Sequence, residues 1–561
     1  MSTHARPLAD RLAAVSDARL ADLLRSRAVR PDAEWSDFFD AAEALLEPVS
    51  IERGLAALTR AEARALTGAV AGEADADELT MLAERGLVDD GGRVPAPVAA
   101  AVTAHPPVPE LDPVEETPAS AAGSARAAER AFTTVGALAD LLLTARTTPL
   151  ALVATGALSA TEKRRFAPGD DPDELREIAD LTGLAHAVDR ELRVTAAAER
   201  WLDSSFAERW SMLADGFRKA LPAGIRSGGG WLPVGMWADA HPWDEAWPAR
   251  ADALRHLATM LGLRTPDHAE PAWARRLREG AEPDTTDLEA LLPTEVDRLF
   301  LQNDLTAIAP GPLQPALDNR LRGMTEHETG AQTSSYRFTA DSVAGALVDG
   351  ETEQSILSFL REISLTGLPQ PLEYLVAQAA ARHGLVRVGP DATGGTAVSS
   401  TDENLLQAIE VDRNLRPMGL VRDGDRLVSR VSAETVAWAL ADARYPATLV
   451  DRDGATVAAL RRRVAPTAPA HPPTYATLIA RLRAHRGPDA DAAWLDRELE
   501  AAVRARALML VEVAMPDGSS RELTLEASGI GGGRLRGRDR AADVERTLPV
   551  RSIRSVRVLE S

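Results

Sequence analysis

The chemistry open to this chain is bounded first by its lysines. Lys163, in Thr161-Glu162-Lys163-Arg164, and Lys219, in Phe217-Arg218-Lys219-Ala220, are the two lysines of the 561 residues. A phosphate-binding loop takes the form G-x-x-x-x-G-K-[ST], because its lysine reaches the nucleotide phosphates out of a glycine turn. Neither lysine sits in such a loop, so an ATP-driven motor is not expected. The 10 histidines run from His4 to His485, and no two have the H-E-x-x-H spacing that puts two ligands on one helix face. His327-Glu328 lacks the second histidine. No G-x-S-x-G elbow signals a hydrolase nucleophile. Cysteine is absent, which removes disulfides, thiolate catalysis and cysteine-held zinc or iron–sulfur sites. The expectation is a chain with no catalytic residues, no metal and no cofactor, and therefore not an enzyme.

Arginine is the remaining residue type whose spacing points to chemistry, in the form of phosphate contact. The net charge of −21 repels nucleic acid at long range, which weighs against a chain that binds it over its whole surface. The charge is uneven, however. Between Ala455 and Gly487 there is no acid, while Arg461, Arg462, Arg463, Arg481, Arg483 and Arg486 are all present. Between Arg521 and Arg557, nine arginines face five acids. Arg534, Arg536 and Arg538 alternate, so on a strand they share one face. These nine residues are the nucleic-acid-binding candidates, with a solvated charged face as the plainer alternative.

The elements that must position them are mostly helical, at 45% hydrophobic residues, and the length calls for several domains. A local unit recurs: a helix stopped by glycine, then apolar residues and a polar turn. It appears at Gly86, Gly183, Gly384 and Gly419. Glycine suits a left-handed helix cap, and the polar pair suits a hairpin turn. That order matches the third helix and wing of a winged helix. In the fullest copy, Val135, Leu138, Leu141 and Leu142 have helical spacing and Ser159-Ala160-Thr161-Glu162 is a capping box. Asp173–Leu181 is then the third helix and Val188–Thr195 the wing. Its approach, Asp170-Asp171-Pro172-Asp173-Glu174, is acidic, which favours packing or protein contact over reading DNA. Six of the 10 tryptophans lie between Trp201 and Trp247, interleaved with acids, and read as a helical core rather than a stacking platform.

One stretch carries a family resemblance. It opens Leu299-Phe300-Leu301-Gln302-Asn303-Asp304-Leu305-Thr306-Ala307-Ile308-Ala309-Pro310. It continues through Tyr336-Arg337-Phe338-Thr339-Ala340-Asp341-Ser342-Val343 and closes Arg382-His383-Gly384-Leu385-Val386-Arg387-Val388. This resembles the helicase-associated domain found beside the motor of helicases of the xeroderma pigmentosum group B type. A similar domain occurs in actinobacteria in standalone proteins that have no motor. Within it, Leu299, Leu301, Leu305 and Ile308 are expected on strands flanking Gln302-Asn303-Asp304. Those three polar residues are either a partner or DNA contact or a hydrogen-bonded strand end. Ser342–Val348 and Glu353–Leu360 are expected as helices, with Asp341 or Ser342 capping the first and Thr352 the second. The end of the chain, with Leu508–Val513, Arg521–Glu526 and Arg546–Val558, resembles the small β-barrel named for Trp-Tyr-Leu. Arg534-Leu535-Arg536 stands where that tripeptide is expected.

The fold class expected is a multidomain α+β chain, mostly helical with winged-helix-like modules, a central α/β helicase-associated domain and a small C-terminal β-barrel. The boundaries read as a helical or winged-helix-like domain over 1–104, a linker over 105–125 and a winged-helix-like domain over 126–225. A Trp-rich helical segment occupies 226–292, then the helicase-associated domain 293–390. A second α/β segment with a basic, Pro-rich end spans 391–490, and the barrel 495–561. The charged start of the chain and the absence of a long apolar run imply a soluble cytoplasmic protein without a membrane partner. Three functions fit. One is a non-catalytic accessory protein of DNA repair or transcription, with DNA or a separately encoded helicase as partner. The others are a ligand-responsive transcriptional regulator and an acidic protein-interaction scaffold.

Overall fold

The computed structural model describes residues 5–89, 92–112, 114–166, 171–329, 334–391, 394–454, 457, 474–484, 488–515 and 519–559. Among these residues, helices alternate with five small sheets, a mixed α+β architecture built on five apolar clusters. Among the described residues, no helix is long and apolar enough to cross a membrane.

The first cluster is helical, and its helices start where side-chain caps allow. Ser16, Asp37, Thr59 and Asp75 each accept from a backbone N–H of the first turn, satisfying donors that a helix start otherwise leaves open. Leu12, Leu20, Phe38 and Leu66 fill the centre. Gly86 takes the left-handed conformation at φ 67°, as its place after a helix suggests. The expected strand pair does not come after it among the described residues. Instead, the Asp89 N–H donates to the Arg93 carbonyl at 2.9 Å, closing a turn. The same cluster also takes in residues from near the other end of the chain. Tyr475, Leu478, Ile479, Leu482 and Trp494 pack into it, the Tyr475 hydroxyl donates to the Val29 carbonyl at 2.8 Å, and Trp494 Nε1 donates to Asp37 at 3.1 Å.

A second cluster draws on residues between Ala127 and Leu288. The helix Ala121–Thr147 leads to the strand Leu150–Ala151, a short helix Ala160–Lys163 and the helix Pro172–Leu181. Gly183 is left-handed, and the hairpin of Ala185–Val188 with Glu191–Val194 comes next. Asp189 and Arg190 both have positive φ, the conformation a two-residue hairpin turn requires. Leu150–Ala151 pairs along the outer side of Glu191–Val194, which makes a three-stranded sheet. The tryptophans are core. Trp201, Trp210, Trp237 and Trp247 are buried, and their indole N–H groups donate to backbone carbonyls of Arg209, Leu261, Leu232 and Trp237.

Residues 296–450 form two sheets. In the first, Phe300–Leu301, Thr306–Ile308, Ser334–Arg337 and Glu326–Thr329 lie side by side in that order. The helices Ala340–Val348, Glu353–Ile363 and Gln370–Arg382 cover it, with Val343, Leu347, Ile356, Leu357 and Leu360 buried as their spacing implies. The cap of the first is Thr339, earlier in the chain than expected. Ser342 is its capping-box partner, and Asp341 lies within the helix. Thr352 caps the second helix as expected. The second sheet orders Val421–Asp423, Arg426–Ser429, Thr396–Ser400, Val386–Pro390 and Ala447–Leu449. Its last pairing is parallel, and the helix Ala433–Asp442 leads into that final strand.

The C-terminal strands do not close into the expected barrel. Their order is Val544–Pro549, Arg534–Asp539, Ser520–Gly531, Leu508–Ala514 and Ile553–Leu559, and the first and last are not paired to each other among the described residues. The sheet stays open because a helix covers it instead. Leu495, Leu499 and Ala502 of Pro488–Ala505 bury the apolar face formed by Met509, Val511, Leu525 and Leu535.

Candidate nucleic-acid interface

The face of that sheet turned away from the helix carries the arginines. Along Arg534–Asp539, burial alternates strictly: Arg534, Arg536 and Arg538 are exposed, and Leu535, Gly537 and Asp539 are buried. Gly537 is required on the buried side, because a Cβ there would lie 2.8 Å from the Glu526 carbonyl. Gly532 and Gly533 both have positive φ and make the tight turn into the strand. The cross-strand neighbours decide which arginines are available. Arg534 lies between Gly531 and Pro549, and Arg536 between Gly529 and Thr547, so no acid stands opposite either one. Arg538 lies between Glu526 and Glu545, and Asp543 holds it at 2.7 Å. Arg557 lies opposite Leu510 on the same face and adds a third open cation. On the other face, Arg546 donates to buried Asp539 at 2.6 Å and holds that carboxyl below its ordinary range.

The remaining candidates are placed differently. Arg481 donates to the Ala33 carbonyl at 3.1 Å. Arg483 donates to Asp17 at 3.1 Å and to the Ala13 and Val15 carbonyls, with its guanidinium 5.1 Å from the Phe38 ring centre. Both dock the helix Ala476–Ala484 onto the N-terminal helices, so their donors are already occupied. Arg461, Arg462, Arg463 and Arg486 lie outside the described residues. Gln302, Asn303 and Asp304 are exposed at a hairpin bend in which Leu305 has φ 65°. The Gln302 N–H donates to the Thr306 carbonyl at 2.9 Å, and the Thr306 hydroxyl donates to Asp304 at 2.5 Å. The Thr306 hydroxyl holds the Asp304 carboxyl below its usual range. Gln302 and Asp304 thus close the hairpin. On the helix Pro172–Leu181, three of the carboxylates are engaged. Glu174 meets His256 at 3.1 Å, Asp173 meets Lys163 at 2.5 Å, and Asp180 meets His186 at 2.9 Å.

A feature with no sequence signal lies along the seam between the helix Ala121–Thr147 and residues 322–446. It is a cleft of about 1110 Å³, assembled from side chains hundreds of positions apart. No motif spacing marks it, because several separate elements contribute. At one edge Arg322 donates to Asp140 across the seam and to Asp318 at 3.0 Å, and the Tyr336 hydroxyl donates to Asp318 at 2.5 Å. Burial works against the Arg322 charge, but Asp318 and Asp140 more than restore it and raise its pKa above the ordinary value. At another edge, Thr448 holds His383 Nε2 at 3.1 Å, and burial lowers the pKa of that imidazole.

Against known families, residues 299–423 match the helicase conserved C-terminal domain. The matched stretch takes in the first of the two central sheets, its three helices and most of the second sheet. The chain therefore carries a helicase-type domain, as the Leu299–Val388 resemblance implies. No curated protein matches the chain.

Proposed function

We propose that this protein is a non-catalytic accessory factor of DNA transactions, in repair or transcription, acting with a separately encoded helicase. One observation carries the reading: a helicase conserved C-terminal domain sits in a chain whose two lysines lie outside any phosphate-binding loop. The open arginine face of the C-terminal sheet supports a direct nucleic-acid contact, since alternating cations on a flat strand can follow a phosphate backbone. The order of a long helix, a short strand, two helices and a hairpin in Ala121–Val194 supports reading that segment as winged-helix-like. We read it as a packing or protein-contact module, because its third helix is acidic and Asp173, Glu174 and Asp180 on it are already paired. That feature, with the net charge of −21, also favours the second reading, a scaffold that contacts proteins alone. Binding of labelled duplex DNA to the full chain separates the two. The accessory reading expects binding that weakens steeply with salt and is reduced by Arg534→Ala/Arg536→Ala. Absence of binding at low salt favours the scaffold.

A further inference from the structure

The seam cleft is lined by a set of side chains that the accessory reading does not use. Three rings border it, Phe166, Trp438 and Tyr445, together with Arg146, Arg165 and Arg382. Each ring is half-buried and anchored. Phe166 packs on the Ala127–Leu288 core, and Trp438 and Tyr445 pack on the core of the second central sheet. The Tyr445 hydroxyl is fixed by Asp412 at 3.1 Å. The rings are therefore pre-set at the two sides of the groove. The acids on the same walls are engaged. Asp140 is held by Arg322 and Asp341 by Arg444 at 3.8 Å, Glu326 accepts from the Thr339 hydroxyl at 3.2 Å, and Asp349 and Asp442 have partners of their own. Arg382 is exposed and makes no ion pair among the described residues. Arg146 shares Glu199 at 3.6 Å, and Arg165 shares Glu162 at 2.9 Å.

Rings and guanidinium groups in one groove suit a ligand with exposed bases and a phosphate backbone. Bases stack on aromatic faces while cations track the phosphates, whatever the base sequence. A duplex turns its bases inward and offers those rings nothing. We infer that this cleft binds single-stranded nucleic acid, with bases on Phe166, Trp438 and Tyr445 and phosphates at Arg382. The inference rests on the accessory reading above, yet assigns single strands to a surface separate from the Arg534–Asp539 strand.

Fluorescein-labelled oligo-dT titrated into the full-length protein, followed by anisotropy, tests it alongside a labelled duplex. Arg382→Glu alters one exposed side chain and leaves the cores intact. It should weaken oligo-dT binding about tenfold, the scale of a phosphate contact replaced by a repulsive charge, with duplex binding retained. Trp438→Leu, checked for an unchanged melting temperature, should weaken oligo-dT binding in the same direction. The inference is overturned if both cleft variants bind oligo-dT as the unaltered chain does. It is also overturned if Arg534→Ala/Arg536→Ala alone abolishes oligo-dT binding, which would place single strands on the sheet. Binding of neither ligand by the unaltered chain would remove the accessory reading itself, a result distinct from either of those.

Discussion

Arg534 and Arg536 differ from Arg538 by their neighbours, not by their own chemistry. Glycines flank the first two on one side, whereas Glu526, Glu545 and Asp543 surround the third. A cation already neutralised has little left for phosphate, so duplex affinity should depend on Arg534 and Arg536 and hardly on Arg538. Each lost phosphate contact removes about 0.9 from the slope of log affinity against log salt. Arg534→Ala/Arg536→Ala should therefore flatten the slope by roughly two such steps, and Arg538→Ala should leave it within error. Equal effects from all three would show that the cross-strand acids do not matter. A second residue sets a pH dependence. Glu498, on the helix that carries the sheet, is pushed up to about 7 by burial, with Arg6 at 3.6 Å opposing and Asp10 reinforcing. Between the ordinary value of 4.5 and about 7, the folded protein holds a proton that the unfolded chain has lost. Stability from this group therefore rises as pH falls through that window and is lost as pH climbs past it. Glu498→Gln should raise Tm at pH 8, by a free energy on the order of 3 kcal/mol, and flatten the profile between about pH 5 and 8. Superimposable melting curves for the two proteins at pH 8 would contradict this.

Helix ends give the sharpest comparison at the level of elements. The spacing of Val343, Leu347, Ile356, Leu357 and Leu360 marks their buried faces, because periodicity reports which side of a helix meets a core. It does not report the first turn. Thr339, Asp341 and Ser342 can all cap, and the role falls to Thr339 because Ser342 then offers its own hydroxyl oxygen to the Thr339 N–H at 3.0 Å. Thr339→Ala should cost about 1 kcal/mol, measured by chemical denaturation, and Asp341→Ala only a few tenths. The reverse order would restore the cap to Asp341. Left-handed glycines at 86, 183, 384 and 419 are readable from the sequence, since few other residues tolerate that conformation. The pairing that follows is readable only in part: hairpins close locally after Gly183 and Gly419, but Leu150–Ala151 and Ala447–Leu449 join their sheets from far along the chain. The barrel expectation fails for the same reason: alternation in Arg534–Asp539 reveals two faces but not that Leu495 and Leu499 cover one of them. The arginines at 481 and 483 likewise read as free cations in sequence, and only the fold shows the Ala13, Val15 and Ala33 carbonyls that take them. The seam cleft has no signal at all, since Phe166, Arg382 and Trp438 come from unrelated segments.

At the scale of the whole molecule, the two ends of the chain share a core. Tyr475, Leu478, Ile479, Leu482 and Trp494 fill the N-terminal helical cluster, and Arg497 reaches Asp40 at 2.7 Å. The C-terminal sheet is thereby tied to the N-terminal helices, and any fragment that separates them exposes an apolar helix face. A piece spanning 474–561 should aggregate when made alone and become soluble when produced together with 1–105, a pairing that co-purification from one expression strain can detect. A monodisperse 474–561 piece would mean that those contacts contribute little. The same closure bears on catalysis. An ATP-driven motor has to convert nucleotide binding into movement, which requires a lysine delivered to the phosphates by a glycine loop. Lys163 is instead held by Asp173 at 2.5 Å, and Lys219 by Asp215 at 2.6 Å, each on a helix and paired with a carboxylate. The purified chain should accordingly show no ATP hydrolysis above buffer, with or without DNA, and no strand separation of a labelled duplex. DNA-stimulated turnover that a single substitution in this chain abolishes would show a nucleotide site built from other residues, and the accessory reading would give way to an enzymatic one.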